Sequence, residues 1–250
     1  MNDVDRVEDI PQKISVIIPA LNEQNLVGSA VKSALEGFNA EALVVDGGST
    51  DATRENASDN GAKVLTTSSC KALQMNYGAR HAAGNIFLFL HADSRLPPAW
   101  DCYVRNIIKK HQTALGFFRF AVNEPFPGSR LIEWGTNLRS RFLKLPYEDQ
   151  GLFLSRYRFF SVGGFPDVPF LEDVFLVRRI QKSGHVCCAG ADIVTSGRRW
   201  IKFGVLRTTF INQAVLLSAW LGVDPLKLKE DYHKGTNPLT ALFRKRRGSS

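Results

Sequence analysis

Three groups of polar side chains in this sequence could bind a ligand or a metal ion. Each group follows directly on a run of apolar residues that is long enough for a buried strand. The groups are Asn22-Glu23, the run from Asp46 to Asp51, and His91-Ala92-Asp93. A carboxylate beside a buried strand is costly unless it binds something, and ligands of open parallel α/β sheets bind beyond the carboxyl ends of the strands. We therefore expect the three groups to converge on one edge of a sheet.

The residue types favour some ligands over others. Asp51, Ser49 or Thr50 could simply cap a following helix, but capping explains Asp46 and Asp93 less well, because both follow apolar runs. The sequence has neither the GxGxxG spacing of a dinucleotide site nor a Walker A motif. An acidic edge favours the hydroxyl groups of a sugar or a nucleoside, or a metal ion. It also accepts a diphosphate when a divalent cation bridges the phosphate to a carboxylate.

The elements that must position these groups alternate along the first part of the chain. Near-continuous apolar runs predict buried strands at 14–20, 42–48, 62–67 and 86–93. Helical spacing between them predicts helices over 24–36, 51–60 and 71–83, and Gly61 and Gly84 stand where the last two would end. Alternating strands and helices predict a parallel α/β sheet.

The pattern is less regular after Pro97-Pro98. Helical spacing predicts helices over 99–111, 130–143, 172–184 and 205–221. Apolar, branched and aromatic runs predict strands at 115–122, 151–155 and 186–195. The sequence has no internal repeat and no long linker, so we expect one domain with a regular first half and an irregular second half.

The composition excludes several classes of protein. A chain of 250 residues with 17 Phe, 44% hydrophobic, is not disordered. Four Cys without CxxC spacing exclude a disulfide-rich scaffold and argue against structural zinc. The polar amino terminus predicts no secretory signal. The longest apolar stretch, 214–221, is far shorter than the roughly 20 residues of a membrane-spanning helix. We expect a protein of a reducing compartment that does not span a membrane.

The net charge of +8 is concentrated in one part of the chain. Residues 198–250 contain 11 Lys and Arg but only 3 acidic residues, so the preceding part is neutral. Such a basic segment suits nucleic acid, or an anionic membrane surface at about 1 kcal/mol for each basic residue near it. A solvated terminus without a partner explains it equally well.

Taken together, the motifs resemble those of the family 2 glycosyltransferases, which have the GT-A fold. The motifs that carry the resemblance are Pro19–Glu23, Val45–Asp51, Leu90–Asp93, Gly163–Phe165, Glu172-Asp173 and Ser196–Trp200. The resemblance is closest to a small, soluble, mostly bacterial branch with the pattern FLHAD…LP. It implies an α/β protein, a single domain with a mostly parallel central sheet flanked by helices.

The resemblance also implies how the chain is divided. It implies one domain over 14–235, with a nucleotide-binding half (14–97), an acceptor half (98–204) and a C-terminal helical segment (205–235). Residues 1–13 and 236–250 are expected to be flexible tails.

The resemblance assigns a role to each candidate site residue. Nucleotide-sugar binding falls to Pro19, Asn22, Glu23, Asp46, Gly48, Asp51, Lys71 and Ala92. A divalent cation, Mn²⁺ or Mg²⁺, is implied at Asp93 and His91. Asp173 is implied as the catalytic base, with Glu172 beside it. The diphosphate and the acceptor are assigned to Asp149, Gln150, Arg198, Arg199 and Trp200.

Two positions depart from the family pattern. His91 stands in place of the first acid of the DxD motif, and imidazole suits Mn²⁺ better than Mg²⁺. Glu148 stands where relatives have Gly, next to the acceptor residues.

Plainer interpretations stay open for two motifs. Glu172-Asp173 could only favour a helix N-terminus, and the run from Arg198 to Trp200 could be cation–aromatic packing.

The function implied is an inverting glycosyltransferase that moves a sugar from UDP or GDP to a hydroxyl acceptor. A catalytically silent protein that binds nucleotide sugars and regulates a partner is the alternative, because His91 alters the DxD motif. A nucleotidyltransferase is disfavoured, because ALNEQN (20–25) lacks the glycine-rich basic loop of such enzymes.

The expected partners are a nucleotide sugar, an acceptor that is free or lipid-linked, and no nucleic acid. A homodimer and peripheral membrane contact through the basic C-terminal region are further expectations, with a cytoplasmic location or one on the inner membrane face.

Overall fold

The apolar runs form strands close to the predicted positions. The computed structural model describes residues 11–168, 170–205, 207–211 and 214. The strands are β1 (Ile14–Ala20), β2 (Ala40–Asp46), β3 (Lys63–Thr66), β4 (Ile86–Phe89), β5 (Ser94–Arg95), β6 (Thr113–Val122), β7 (Leu152–Ser155) and β8 (His185–Thr195). They form one mixed sheet in the order β3-β2-β1-β4-β7-β6-β8-β5.

The prediction of a mostly parallel sheet is confirmed. The pairs β3–β2, β2–β1, β1–β4 and β6–β8 are parallel. Strand β7 runs antiparallel to β4 and β6, and β5 runs antiparallel to β8. Because β4 pairs with β7 and β5 with β8, the predicted nucleotide-binding and acceptor halves share one sheet.

Helices cover both faces of the sheet. They are α1 (Val27–Leu35), α2 (Thr53–Asp59), α3 (Lys71–His81), α4 (Trp100–Ile108), α5 (Ser129–Phe142), α6 (Arg156–Ser161), α7 (Glu172–Ile180) and α8 (Arg198–Phe203). Alternate side chains of β1 face opposite cores, as the two-residue period of a strand requires. Val16 and Ile18 pack with α1 and α4, whereas Ile17 packs with α3 and α7. No helix in the described part of the chain is long and apolar enough to cross a membrane.

Several local predictions need correction. Gly84 is not a helix C-cap: a Cβ there would lie 2.6 Å from the Ser15 hydroxyl, so close approach of β1 requires glycine. Gly61 has φ +90° just after α2, as a C-cap predicts. The helix predicted over 172–184 ends at Ile180, and a 3₁₀ turn follows. Helix α6 and strand β5 are too short to leave a periodic signal. The predicted helix over 205–221 lies largely outside the described residues, as do 1–10 and 222–250.

We expect Gly116→Ala to destabilise the protein. Gly116 lies opposite Phe153 where β6 meets β7, and a Cβ at this position would overlap the Phe153 ring. Phe153 is fully buried and cannot move aside freely. Overpacking of this kind costs about 1–3 kcal/mol, and urea unfolding measures the loss.

Gly135→Ala is the matched control. Gly135 lies inside α5, and no atom lies within 4 Å of a Cβ placed there. Since alanine is a better helix former, this variant gains up to about 1 kcal/mol. Equal unfolding midpoints for the two variants would contradict the packing of β6 on β7.

Candidate active site

The loops that follow β1 and β2 are joined by side-chain hydrogen bonds. The Thr50 N–H donates to Asn22 Oδ1 at 2.9 Å. Below the loops, the buried Gln74 amide donates to the carbonyl oxygens of Ala20 (3.0 Å) and Val45 (2.7 Å). The carboxyl ends of β1 and β2 are therefore held together as one surface.

Asp46 and Asp51 shape these loops from within. The Asp46 carboxylate is fully buried and accepts hydrogen bonds from the N–H groups of Gly48 and Ser49, each at 3.0 Å. Asp51 accepts from the Thr53 N–H at 3.0 Å, and its hydrogen bond from the Thr53 hydroxyl is the main cause that lowers the pKa of Asp51. Gly48 has φ +96° and no neighbour within 4 Å of a Cβ position, so open space lies above this loop.

Arg198 connects the loops after β1 and β4. Its guanidinium binds both carboxylate oxygens of Glu23, with Nη1 at 2.8 Å from Oε2. Its Nη2 also lies 3.3 Å from Asp93 Oδ2. The hydrogen bond to Glu23 is the main cause that raises the pKa of Arg198, against an opposing effect of burial. One cation from α8 is thus shared by two carboxylates at the sheet edge.

Lys71, His91 and Glu148 form a compact ionic cluster. Lys71 Nζ lies 2.9 Å from Glu148 Oε2 and 2.7 Å from His91 Nε2. His91 Nε2 lies 3.5 Å from Glu148 Oε1. Burial alone would raise the pKa of Glu148, but Lys71 and His91 outweigh it and lower that pKa to about 2. Burial lowers the pKa of Lys71, but the Glu148 charge opposes it and the net shift is upward. Glu148 is therefore ionised and Lys71 charged at neutral pH.

Two acids open α7 beside this cluster. Leu171, with φ +62°, directly precedes the helix, and the first turn of a helix favours carboxylates. Asp173 Oδ2 accepts a hydrogen bond from the Glu148 N–H at 3.0 Å, and Oδ1 accepts from the Val174 N–H at 2.7 Å. The carboxylate of Asp173 is thereby fixed next to the ionic cluster.

Burial raises the pKa of both acids. For Glu172 the pKa reaches about 7, because the charges of Asp173 and Glu148 add to the effect of burial while Lys71 opposes it. For Asp173, burial and the Glu148 charge raise the pKa, while Lys71 and two backbone N–H groups lower it by less. Perturbed carboxylates of this kind are typical of functional sites.

These contacts join into one continuous set, which we call the rim network. Its members are Glu23, Arg198, Asp93, His91, Lys71, Glu148 and Asp173. The network runs along the carboxyl ends of β1 and β4 to the start of α7. Six of its members are predicted site residues. The seventh, Glu148, is noted in the sequence only as a departure from the family pattern.

Arg139 and Tyr147 are neighbours of Asp149 that sequence reasoning missed. The Arg139 guanidinium carbon lies 3.5 Å from the centre of the Tyr147 ring. Burial raises the pKa of Asp149, and Arg139 is the main group that opposes this rise. Asp149 Oδ1 is buried and has no hydrogen-bond partner among the described residues, so it is available to a ligand. No motif marks Arg139, which lies on a helix with other arginines.

Three assigned residues face the protein interior instead. Gln150 donates to the Phe118 carbonyl at 3.2 Å and accepts from the Ser140 hydroxyl at 2.5 Å, so its amide holds the scaffold. Trp200 packs edge-on against Phe120, with ring centres 5.7 Å apart. Pro19 is buried within β1. Of the other residues assigned to the site, Ala92 is buried beside Asp93 and Arg199 lies over the Phe203 ring.

The residues present can hold a divalent cation only together with a ligand. Asp93 Oδ1 and His91 Nδ1 lie 3.8 Å apart, and two ligands at about 2.1 Å from one ion are at most about 4.2 Å apart. No group of three or more metal-binding side chains occurs among the described residues. Mg²⁺ and Mn²⁺ sites of this kind are completed by water and substrate phosphates. The two side chains therefore fit a cation that arrives with a diphosphate.

The fold and the acidic edge define a protein of the GT-A, nucleotide-diphospho-sugar transferase class. Residues 15–165 match the model of the family "Glycosyl transferase family 2", which is more than half of the chain. The chain therefore belongs to glycosyl transferase family 2, as the motifs predict.

Individual relatives cover the chain to different extents. The glycosyltransferase AglJ of Haloferax volcanii is 28% identical over 203 residues, which are 80% of this chain and 63% of that protein. The dolichol-phosphate mannosyltransferase of Pyrococcus furiosus is 38% identical over 95 residues, 34% of this chain and 27% of that protein. The chain thus spans less than two thirds of the length of these curated relatives.

Solved structures support the fold. Glucosyl-3-phosphoglycerate synthase from Mycobacterium tuberculosis, in complex with Mn²⁺, UDP and phosphoglyceric acid, has a TM-score of 0.58 at 18% identity. The match covers 85% of this chain and 79% of that one. The same synthase with Mn²⁺, UDP and glucosyl-3-phosphoglycerate has a TM-score of 0.55 at 19% identity, covering 77% and 75%.

Glu172→Gln is expected to stabilise the protein increasingly as the pH rises. The pKa of Glu172 is raised to about 7 in the folded state, so its ionisation opposes folding from its unfolded pKa, about 4.3, upward. The variant removes this penalty, which reaches at most about 4 kcal/mol above pH 7. Melting temperatures at pH 5 and pH 8 test this, and the gain should be clearly larger at pH 8.

Glu124→Gln is the control for this effect. Glu124 is exposed in the loop after β6, so its replacement changes stability by less than about 0.5 kcal/mol at either pH. If Glu172→Gln stabilises the protein equally at both pH values, ionisation of Glu172 does not oppose folding.

Proposed function

We propose that this protein transfers a sugar from a nucleoside diphosphate sugar to an acceptor hydroxyl, with inversion at the anomeric carbon. The observation that carries the proposal is the rim network, in which Lys71 and Arg198 contact carboxylates and Asp173 lies at the start of a helix. Cations held in this way would offset the charge of a leaving diphosphate. Residues 14–97 supply the nucleotide side and residues 98–204 the acceptor side.

The nucleotide is proposed to bind over the joined loops after β1 and β2. Asn22, Asp46 and Asp51 fix the shape of these loops, and the space above Gly48 is open. Loop amides and nearby acids suit the hydroxyl groups of a ribose and the N–H groups of a base. UDP is the nucleotide bound in the related synthase structures, so UDP-sugars are the first donors to test, before GDP-sugars.

Charge on the departing diphosphate is proposed to be offset by Lys71 and Arg198. Lys71 contacts His91, whose ring lies 3.8 Å from Asp93. Arg198 contacts Asp93 directly. A divalent cation bound at Asp93 and His91 with the donor would neutralise further negative charge. The related synthase was crystallised with Mn²⁺, which also suits the imidazole of His91. In many enzymes, fixed positive charge aimed at a developing anion lowers the activation barrier more than any other single effect.

Asp173 is the proposed general base. Its carboxylate is held by two backbone N–H groups, which leaves lone pairs for an acceptor hydroxyl. Its raised pKa makes it a stronger base than an ordinary carboxylate, and proton abstraction contributes about 10²–10⁴-fold. One base on the face opposite the leaving group gives inversion.

The acceptor is proposed to bind next to Asp149, Arg139 and Tyr147. Asp149 offers a buried oxygen without a partner among the described residues, and Arg139 offers positive charge beside it. The Pyrococcus relative is named for dolichol phosphate, a lipid, while the related synthase holds phosphoglyceric acid. Lipid phosphates and small phosphorylated acids are therefore the two acceptor classes to test.

Asp173→Asn tests the proposal. We expect it to lower the rate of sugar transfer, or of donor hydrolysis without acceptor, by about 10²–10⁴-fold. Nucleotide affinity should stay within about twofold, because the asparagine oxygen still accepts the Glu148 N–H and the fold is kept. Release of UDP from UDP-sugars with Mn²⁺ measures the rate, and calorimetry measures the affinity.

Asp59→Asn is the matched control, because Asp59 is exposed at the end of α2 and should not alter either quantity. An unchanged rate in Asp173→Asn would remove Asp173 from the mechanism. Tight nucleotide binding by the native protein, without turnover of any donor, would instead support a silent binding protein.

A further inference from the structure

Helix α5 has four of its five large apolar residues on the outside, and Ile132 is the one that is buried. Leu131 and Trp134 are each 62% exposed, Leu138 is 39% exposed and Phe142 is 69% exposed. Their spacing of three, four and four residues puts them on one face of the helix. We call these four residues the α5 stripe. The open space around Gly135, between Trp134 and Leu138, agrees with a face that no described residue covers.

The inner side of α5 is held by polar contacts rather than by a large apolar face. Asn137 accepts from the Phe120 N–H at 2.8 Å and donates to the Phe120 carbonyl at 2.9 Å. Glu133 accepts from the Val122 N–H at 2.9 Å. These side chains form hydrogen bonds with the backbone N–H and carbonyl groups at the end of β6, because β6 pairs with β7 only at Gly116. The orientation of the helix is therefore fixed by directional bonds, and the exposed stripe is a built feature.

Basic residues flank the stripe. Arg130 has an 89% exposed side chain, and Arg141 and Lys144 are also exposed. The one acid of the helix, Glu133, is only 20% exposed, and its Oε1 accepts from the Val122 N–H. Its Oε2 lies 3.8 Å from Arg130 Nη1, so the net positive charge of this face comes from Arg141 and Lys144. A helix with an apolar stripe, an aromatic residue in it and cations beside it matches the pattern of helices that lie in a membrane interface.

The charge of this face favours an anionic lipid surface over a second copy of the chain. In a symmetric dimer through α5, Arg130, Arg141 and Lys144 of one copy would face the same cations of the other, which is unfavourable. An anionic lipid surface provides apolar depth for the stripe and negative charge for the cations.

Helix α5 is also attached to the acceptor side of the site. Arg139 stacks on Tyr147, and the Ser140 hydroxyl donates to Gln150 at 2.5 Å. Tyr147 and Gln150 bracket Glu148 and Asp149 in the sequence. A surface that receives the stripe therefore lies close to the residues proposed to bind the acceptor.

We propose that the α5 stripe docks on an anionic lipid bilayer and that the acceptor is carried by a lipid in that bilayer. The docking stands on the exposed stripe and its charges alone. The lipid-borne acceptor rests, in addition, on the proposed transferase function.

Co-sedimentation of the full chain with lipid vesicles tests the docking. We expect binding to vesicles that contain phosphatidylglycerol, weaker binding to pure phosphatidylcholine, and release by high salt. Trp134→Gln and Phe142→Gln together should weaken binding at least about tenfold. Phe38→Gln, at a residue that is 66% exposed outside α5, should leave binding unchanged. Circular dichroism and melting curves verify that each variant is folded.

Four results would overturn the docking. The native chain could fail to bind anionic vesicles, or bind them equally well without Trp134 and Phe142. The chain could be a dimer that dissociates when the stripe is changed, which would make a second copy the occupant. The part of the tryptophan fluorescence that is lost in Trp134→Gln could be shielded from acrylamide in the free chain, which would show that the chain itself covers the stripe.

Donor hydrolysis separates this inference from the proposed function. The stripe variants should hydrolyse the donor at the native rate, because the stripe is outside the rim network, but should lose transfer to a vesicle-borne polyprenyl phosphate. Vesicle binding without any donor turnover would refute the transferase and keep the docking. Turnover with equal transfer to lipid by native and stripe variants would refute the docking and keep the transferase.

Discussion

The ion pair between Glu148 and Lys71 is the interaction on which the candidate site depends. Glu148 is only 1% exposed, and a buried carboxylate is stable only when cations and hydrogen bonds compensate its lost hydration. Lys71 and His91 supply that compensation, and the Glu148 backbone N–H fixes Asp173. One short turn thereby joins the loop that carries His91, the helix that begins with Lys71 and the helix that begins with Glu172. Removing either partner would leave an uncompensated charge within the site.

The edge of the sheet brings these groups together at a cost to local stability. Glu172 and Asp173 are adjacent acids with raised pKa values next to the ionised Glu148, and a bound ligand with positive charge or hydrogen-bond donors relieves that strain. Arg198 compensates a different pair of acids at this edge, Glu23 and Asp93. Arg198 Nη2 lies against Asp93 Oδ2, whereas Oδ1 is the oxygen that lies 3.8 Å from His91 Nδ1, so the two oxygens of this carboxylate face different groups.

The sequence predicts the four strands of the first half, because each is a mainly apolar run, and a candidate polar group follows three of them. It also predicts that these ends meet, because parallel strands share one edge. The partners across that edge could not be predicted: Arg198 and Glu23 are 175 residues apart, and nothing in their local sequence couples them. Gln150 looks like a ligand group in the motif but bonds to Phe118 and Ser140, because β6 pairs with β7 only at Gly116 and leaves the Phe118 carbonyl to a side chain. The polar inner side of helix α5 follows from the same short pairing.

We expect the rim network to bind a nucleoside diphosphate together with a divalent cation. Thermal melting of the native chain with UDP, GDP and their sugars, each with and without Mn²⁺, tests it most directly. A ligand at 100 times its Kd adds about 2.7 kcal/mol, which raises the Tm of a chain of this size by roughly 5–10 °C. We expect such a rise for the nucleotides of one base, and only with Mn²⁺ present. A flat response to every nucleotide and sugar, with and without Mn²⁺, would contradict it.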